Sequence, residues 1–219
     1  SEKTTVEAVE GSALGLAVVI AKSPFYAEGG GQVGDTGWLL DASGAVVAEV
    51  RDTQKVGANI MLLAAPGAEV SKGQMVLAKV DEGRRARIRP HHTGTHLLNE
   101  ALKRVLGGHI RQAGSYVGPD KLRFDFTHPK ALSPEEVQRV EQIVNAEIAA
   151  AHPVQPEEHP IARVKEFGAT TLLGESYGET PRFLLIGPKG WREPLNRFSL
   201  ELCGGTHVAN TAEIAAFKI

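Results

Sequence analysis

A single cysteine, Cys203, stands among 219 residues, so no internal disulfide can form and the chain reads as a reduced, cytoplasmic protein. Aromatic residues are scarce at 5%, which leaves few rings for stacking on nucleic-acid bases. Neither sign of charge prevails: 24 Lys and Arg against 26 Asp and Glu give a net −2. That excludes a histone-like or polybasic binder as a description of the whole chain, though not a local basic patch. Long apolar runs are missing. The stretch Ala13 to Ala21 falls far short of the ~20 residues a membrane span needs. Ser1-Glu2-Lys3-Thr4 has no signal-peptide character. There is no internal repeat and no low-complexity tract. The chain lacks an initiator Met and ends in Ala216-Phe217-Lys218-Ile219, which could continue as a strand, so a piece of something longer is expected. What is present, 42% hydrophobic and 23% charged residues, is ordinary globular composition with enough length for a sizeable core.

Residues 1 to 80 read as β. Val18-Val19-Ile20, Trp38-Leu39-Leu40, Val46 to Val50, Ile60 to Leu63 and Gln74 to Val80 are short apolar or alternating runs. Ser23-Pro24, Gly29-Gly30-Gly31, Asp41 to Gly44, Pro66-Gly67 and Ser71-Lys72-Gly73 separate them, a spacing that suggests a small barrel or sandwich. Asp81 to Pro90 is polar and reads as the joint, with the division placed between 83 and 84. Beyond it the period changes. Leu97, Leu98, Ala101, Leu102, Val105 and Leu106 predict a helix from His91 to Leu106, stopped by Gly107-Gly108. A second helix is predicted from about Ser133 to Ala151, with Ser133 as N-cap, Pro134 in the first position and Glu136 completing a capping box. Leu122 to Phe126, Phe183 to Ile186 and Phe198 to Leu202 read as strands. The second half is therefore α+β, with helices packed on a mainly antiparallel sheet.

Two clusters carry the chemistry. In His92-Thr93-Gly94-Thr95-His96 the imidazoles are four apart on a predicted helix, so both face one point and suit a divalent cation. In Cys203-Gly204-Gly205-Thr206-His207 the only thiol sits four residues from a third imidazole, across glycines that imply a tight turn or a close backbone approach. One such His pair is more often incidental, and a lone cysteine is usually a buried apolar filler. The two clusters together outweigh those bland readings and fit zinc, in either a closed structural site or an open catalytic one. His91 points about 100° from His92 on a helix and reads as a surface residue. His109, His128, His152 and His159 lack partners at ligand spacing.

The segment Phe25 to Gly37, with Gly29-Gly30-Gly31-Gln32, is no phosphate-binding fingerprint, because the GxGxxG pattern is absent and no helix follows. It reads either as a turn or bulge of the barrel or as a backbone loop reaching a site elsewhere. Charge is uneven along the chain. From Arg84 to Arg111 stand Arg84, Arg85, Arg87, Arg89, Lys103, Arg104 and Arg111 against Glu100 alone, whereas residues 1 to 80 are net acidic. A basic segment beside a metal cluster fits a phosphodiester backbone, with Arg84, Arg85, Arg87 and Arg111 as the candidate contacts.

Ser23 to Glu28 with Gly30-Gly31-Gln32-Val33-Gly34-Asp35-Thr36-Gly37, then His92-Thr93-Gly94-Thr95-His96-Leu97-Leu98, Gly114-Ser115, Leu122 to Phe126 and Cys203-Gly204-Gly205-Thr206-His207, resemble the editing domain of alanyl-tRNA synthetase. The free-standing alanyl-tRNA editing proteins are similar. The resemblance covers nearly the whole chain in matching order. It implies a small N-terminal β-barrel followed by an α/β editing core, and zinc held by His92, His96, Cys203 and His207. It further implies hydrolysis of the ester of mischarged Ser-tRNA(Ala) and Gly-tRNA(Ala), with the tRNA acceptor end and the rest of a parent synthetase as partners. Gln112 then matches an active-site glutamine, and Thr95 and Ser115 match positions lining the amino-acid pocket; backbone groups near Gly30, Gly31 and Gln32 are further candidates. Two departures stand out: Gly29 replaces a serine common in the family, and the stretch Phe183 to Asn196 is longer than usual. No ATP-binding motif set is found, so this chain is not expected to charge tRNA. A different class remains as the alternative: an RNA-binding module with a purely structural zinc. A hydrolase for a small ester or amide, without tRNA, is a third.

Overall fold

Alternation of buried and exposed residues turns the first eighty positions into six strands: β1 (Glu2–Ser12), β2 (Gly15–Ile20), β3 (Gly37–Leu40), β4 (Val46–Val56), β5 (Asn59–Ala64) and β6 (Met75–Val80). In the computed structural model, which describes residues 1–12, 15–171, 177–191 and 196–219, they close into a barrel in the order β1-β2-β5-β4-β3-β6, every pair antiparallel. Ala13 and Leu14 of the apolar stretch, and 192–195 of the Phe183 to Asn196 stretch, lie outside the described residues. Closure leaves no edge strand open to pairing. Val6, Val18, Leu39, Val50, Leu62, Val76 and Ala78 fill the barrel.

The loop between β2 and β3 carries the glycine motif. Gly29 and Gln32 bond each other in both directions at 3.1 and 3.0 Å. Gly30 and Gly31 between them have φ of 57° and 85°, a pair of positive values that only glycine adopts without strain. Asp35 ties the loop down: its carboxylate accepts from the Tyr26 backbone N–H at 2.7 Å and pairs with the Arg85 guanidinium.

The chain forms two compact units, Ser1–Arg87 and Ile88–Ile219. Of the stretch 81–90, expected to be a joint closed by Pro90, all but Asp81 is helical: α1 runs Glu82–Leu106 with Pro90 inside it. Asp81 starts the helix by accepting the Arg84 N–H on its side chain at 2.9 Å. A proline in a helix interior costs about 3 kcal/mol. Anchoring bonds from Arg84 and Arg85 to Gly34, Asp35 and Pro24, together with the burial of Ile88 before the proline and of His92 to Asn99 after it, offset that cost.

The second unit continues with β7 (Gln112–Val117), β8 (Leu122–Phe126), α2 (Pro134–Ala149), β9 (Val154–Glu158), α3 (Arg163–Phe167), β10 (Arg182–Ile186), β11 (Ser199–Leu202) and a 3-10 turn at Thr211–Ile214. β7 and β8 pair alone; β11, β10 and β9 form an antiparallel sheet in that order. Central β10 is buried on both faces. Leu184 and Ile186 pack with Leu97, Leu102, Val140, Val144 and Ile148 of the helices. Phe183 and Leu185 pack with Leu200, Leu202 and Phe167 opposite. The capping box of α2 is formed as the sequence predicts, from Ser133 and Glu136. The last four residues, expected to be able to run on as a strand, have no regular structure. Asn145 and Glu141 of α2 hold them. Among the described residues no helix is long and apolar enough to cross a membrane.

Candidate metal centre

Helix and strand periodicity meet at one point of the second unit. On α1, His92 and His96 are one turn apart, their rings stacked with centroids at 5.3 Å. On β11 the period is two: Ser199 and Glu201 face α1 while Leu200 and Leu202 enter the opposite core. Cys203, in phase with Glu201, reaches the same side just after the strand. His207 follows four residues later.

The result is a tight cluster. One ligand atom from each of His92, His96, Cys203 and His207 lies within 4.8 Å of all the others. Cys203 Sγ is 3.5 Å from His92 Nε2 and 3.3 Å from His207 Nε2. A tetrahedral zinc with ~2.0–2.1 Å bonds to nitrogen and ~2.3 Å to sulfur requires its donors to stand ~3.3–3.6 Å apart. His96 Nε2 is buried with no hydrogen-bond partner, which is costly for an imidazole nitrogen unless a further group completes it. One thiolate and three imidazoles are a donor set zinc accepts, so the residues fit that ion.

Surrounding groups set the state of the four donors. His96 Nδ1 lies 2.9 Å from Glu201 Oε2, and Asn99 Nδ2 donates to Glu201 Oε1 at 2.9 Å. Thr93 Oγ1 is 3.2 Å from His207 Nδ1 and accepts the Val208 N–H. Arg182 clamps the Cys203–His207 loop, its guanidinium donating to the carbonyls of Cys203 and Gly205. The Gly205 N–H in turn points at Cys203 Sγ, 3.4 Å away. Burial pushes the Cys203 thiol up, but the three imidazoles overcome it and hold the thiol well below its usual range. Burial also lowers His96, and the Glu201 carboxylate and Cys203 thiolate reverse this, carrying it up to about 10. For His207 burial prevails and lowers it to about 3. The direction at Cys203 is toward the thiolate, the form in which a cysteine can ligate a metal.

The other candidate residues are dispersed along the fold. Thr95 is buried on α1, its hydroxyl donating to the His91 carbonyl at 2.9 Å. Gln112 opens β7, half-buried, and Ser115 on the same strand has a buried Oγ without a hydrogen-bond partner. Gly30, Gly31 and the fully buried Gln32 belong to the barrel loop. Arg84 donates to the Gly34 carbonyl at 2.7 Å, Arg85 pairs with Asp35, Arg87 is exposed, and Arg111 donates to the Gly108 and Ile110 carbonyls. His91, read as a surface residue, is half-buried with Nδ1 2.7 Å from the Gly118 carbonyl. His109 and His128, without partners at ligand spacing in sequence, are brought together at 2.9 Å by the β7–β8 pairing. Glu201, Asn99, Thr93 and Arg182 are the additions. For Glu201 a signal existed, since it shares the strand phase of Cys203. For Arg182, 21 residues from the loop it holds, none did.

The chain is similar to known tRNA synthetases. Residues 1–84 match the family of class II (A) tRNA synthetases. Residues 182–219, which include Cys203 and His207, match the threonyl and alanyl tRNA synthetase second additional domain. A probable chloroplastic/mitochondrial alanine–tRNA ligase of Ostreococcus tauri is 47% identical over 98% of this chain and 21% of its own length. The alanine–tRNA ligase of Geobacillus kaustophilus is 45% identical over 92% of the chain and 22% of its own length, and that of Bacillus subtilis 44% over 97% and 23%. The chain spans about a fifth of the length of the curated relatives it matches. By these matches, at both of its ends and along nearly all of its length, the chain belongs to the alanyl-tRNA synthetase family as a segment corresponding to that fifth.

Proposed function

We propose that this segment is a zinc-dependent editing module that hydrolyses the ester linking a wrong amino acid, serine or glycine, to tRNA(Ala). The observation that carries the reading is the convergence of His92, His96, Cys203 and His207 with the buried His96 Nε2 left incomplete, in a relative of alanine–tRNA ligases. Zinc held by these four residues would supply Lewis-acid polarisation of an ester carbonyl or a water of lowered pKa.

The rest of the work falls to the protein. An aminoacyl ester is already a reactive bond, so positioning can provide much of the acceleration. No Ser-His-Asp constellation was found in the sequence, and Cys203 as a ligand is not free to act as a nucleophile. Ser115, with its buried and unpartnered hydroxyl, suits recognition of the serine hydroxyl. A pocket built to bond that group rejects alanine by ~10⁴ or more, because alanine leaves it unpaired. Glycine has no hydroxyl, so its acceptance over alanine needs a steric wall, for which Thr95 and Gln112 are the candidates. Arg87 is exposed and suits a phosphate. Arg84, Arg85 and Arg111 can join it only through donors left over from their internal bonds, since a guanidinium has five.

Release of serine from Ser-tRNA(Ala), with and without chelator, tests this reading. Wild-type protein is expected to deacylate and to lose activity on chelation, and His96→Ala to lose both zinc and activity. Full deacylation by zinc-free protein rejects the metal's role. One observation favours the second reading: four protein donors can close a tetrahedron and leave no open position. Salt-dependent tRNA binding with stoichiometric zinc and no release of serine selects an RNA-binding module with structural zinc.

A further inference from the structure

Glu201 is 6% exposed and is not among the four metal-binding candidates. A carboxylate this deep is destabilising unless its oxygens are met. They are met unequally. Oε1 accepts from Asn99 Nδ2 at 2.9 Å and lies 3.4 Å from Ser199 Oγ; Oε2 faces His96 Nδ1 at 2.9 Å. A carboxylate only accepts, so Nδ1 carries the hydrogen of this contact. In the neutral form that a cation requires, Nε2 is then the lone pair, and it is that atom which is buried without a hydrogen-bond partner.

We propose that Glu201 is a positioning residue of the metal centre, its carboxylate holding His96 in the Nδ1–H tautomer with Nε2 aimed at the cation. The proposal rests on the zinc reading above. Asn99 and Ser199 keep the carboxylate from rotating. Strand periodicity makes the arrangement compact: β11 places Glu201 and Cys203 two residues apart on one face, so one segment supplies a donor directly and orients another through His96. A carboxylate behind a ligating imidazole also raises its basicity, and loss of such a partner typically weakens metal binding by 10–100-fold.

A purely structural role, pinning β11 to α1 through Asn99, makes a different forecast for Glu201→Gln. The amide can keep its oxygen toward His96 and turn its NH₂ to Asn99, whose own Oδ1 has no hydrogen-bond partner and can accept after a flip. The packing survives and the charge is lost. The experiment measures zinc affinity of wild type, Glu201→Gln and Asn99→Ala by competition with a chromogenic chelator, beside thermal unfolding of the metal-free proteins. Glu201→Gln is expected to bind zinc ~10–100-fold more weakly, a larger loss than any change in its metal-free stability accounts for. Asn99→Ala is expected to melt lower and to lose less zinc affinity than Glu201→Gln, because the carboxylate still faces His96. Wild-type affinity in Glu201→Gln, or a loss of affinity matched by a loss of metal-free stability, overturns the role. If Glu201→Gln does not fold, Glu201→Asp serves: a carboxylate drawn back by one methylene should weaken zinc and alter the cobalt-substituted spectrum, and an unchanged affinity and spectrum overturns the role. Wild-type protein that takes up no zinc rejects the metal centre itself and this role with it. That outcome is distinct from Glu201→Gln and wild type holding zinc equally well.

Discussion

Arginines of the basic segment are distinguished by the acceptors they meet. Arg85 donates to the Pro24 carbonyl at 2.7 Å and pairs with Asp35, whose side chain is 1% exposed. Arg87, two residues on, is exposed. Removing one partner of a buried pair leaves an uncompensated charge and costs about 3–5 kcal/mol, whereas truncating an exposed side chain changes stability by within about 0.5 kcal/mol. Arg85→Ala is therefore expected to lower the urea midpoint sharply. Arg87→Ala should leave the midpoint alone and reduce the salt slope of tRNA binding by about one ion. An Arg87→Ala protein with an unchanged slope takes this residue off the RNA. The sequence displayed the run of positive charge but not this division, because the acceptors Pro24, Gly34 and Asp35 lie about fifty or sixty residues upstream. Glu201 was legible only in part: it shares the strand phase of Cys203, but a charged residue in Phe198-Ser199-Leu200-Glu201-Leu202 suggests a solvated strand face, and only the fold shows that α1 covers it.

Secondary-structure elements were legible where local chemistry decides them. Ser133 Oγ accepts the Glu136 N–H at 3.2 Å, and Glu136 Oε2 accepts the Ser133 N–H at 2.8 Å, so α2 begins where its capping box says. Ser133→Ala should cost about 1 kcal/mol. The Ser133 N–H holds the Glu136 carboxyl below its ordinary value of 4.5, against the opposing effect of burial and with help from Lys130. A depressed folded value means the stabilisation is complete above 4.5 and is lost as pH falls through the folded value. Denaturant titrations of wild type and Glu136→Ala should accordingly converge on acidification below 4.5; curves that stay parallel would remove the carboxylate from the cap. Elements that depend on neighbours were harder to see. The start of α1 was masked by Pro90, which reads as a breaker until the bonds from Arg84 and Arg85 are known. β9 carries Pro156, Glu157 and Glu158, but it is an edge strand, where a missing N–H and exposed charge are tolerated. In β7 the register shifts between Gln112 and Gly114, which breaks the period-two pattern that would have marked it.

At the scale of the whole chain, cores and metal donors are distributed unequally. The barrel core is built from residues between Val6 and Val80. The second unit has two cores, one on each face of its sheet, and all four donors from His92 to His207. Two of the candidate donors come from α1 and two from the loop after β11, so a cation held there would cross-link segments more than a hundred residues apart. Binding to the folded form alone adds about 2.7 kcal/mol at a hundredfold excess over Kd, and that increment belongs to the unit that holds the donors. Hydrogen exchange with and without chelator reads this residue by residue. Chelation should speed exchange in β10, in β11 and in α1 from His92 to Leu102. The strands β1 to β6 should keep the protection their own core gives them. Equal loss of protection in the barrel would mean that the two units open as one cooperative block, and an unchanged pattern everywhere would mean that no cation bridges α1 to the Cys203 loop.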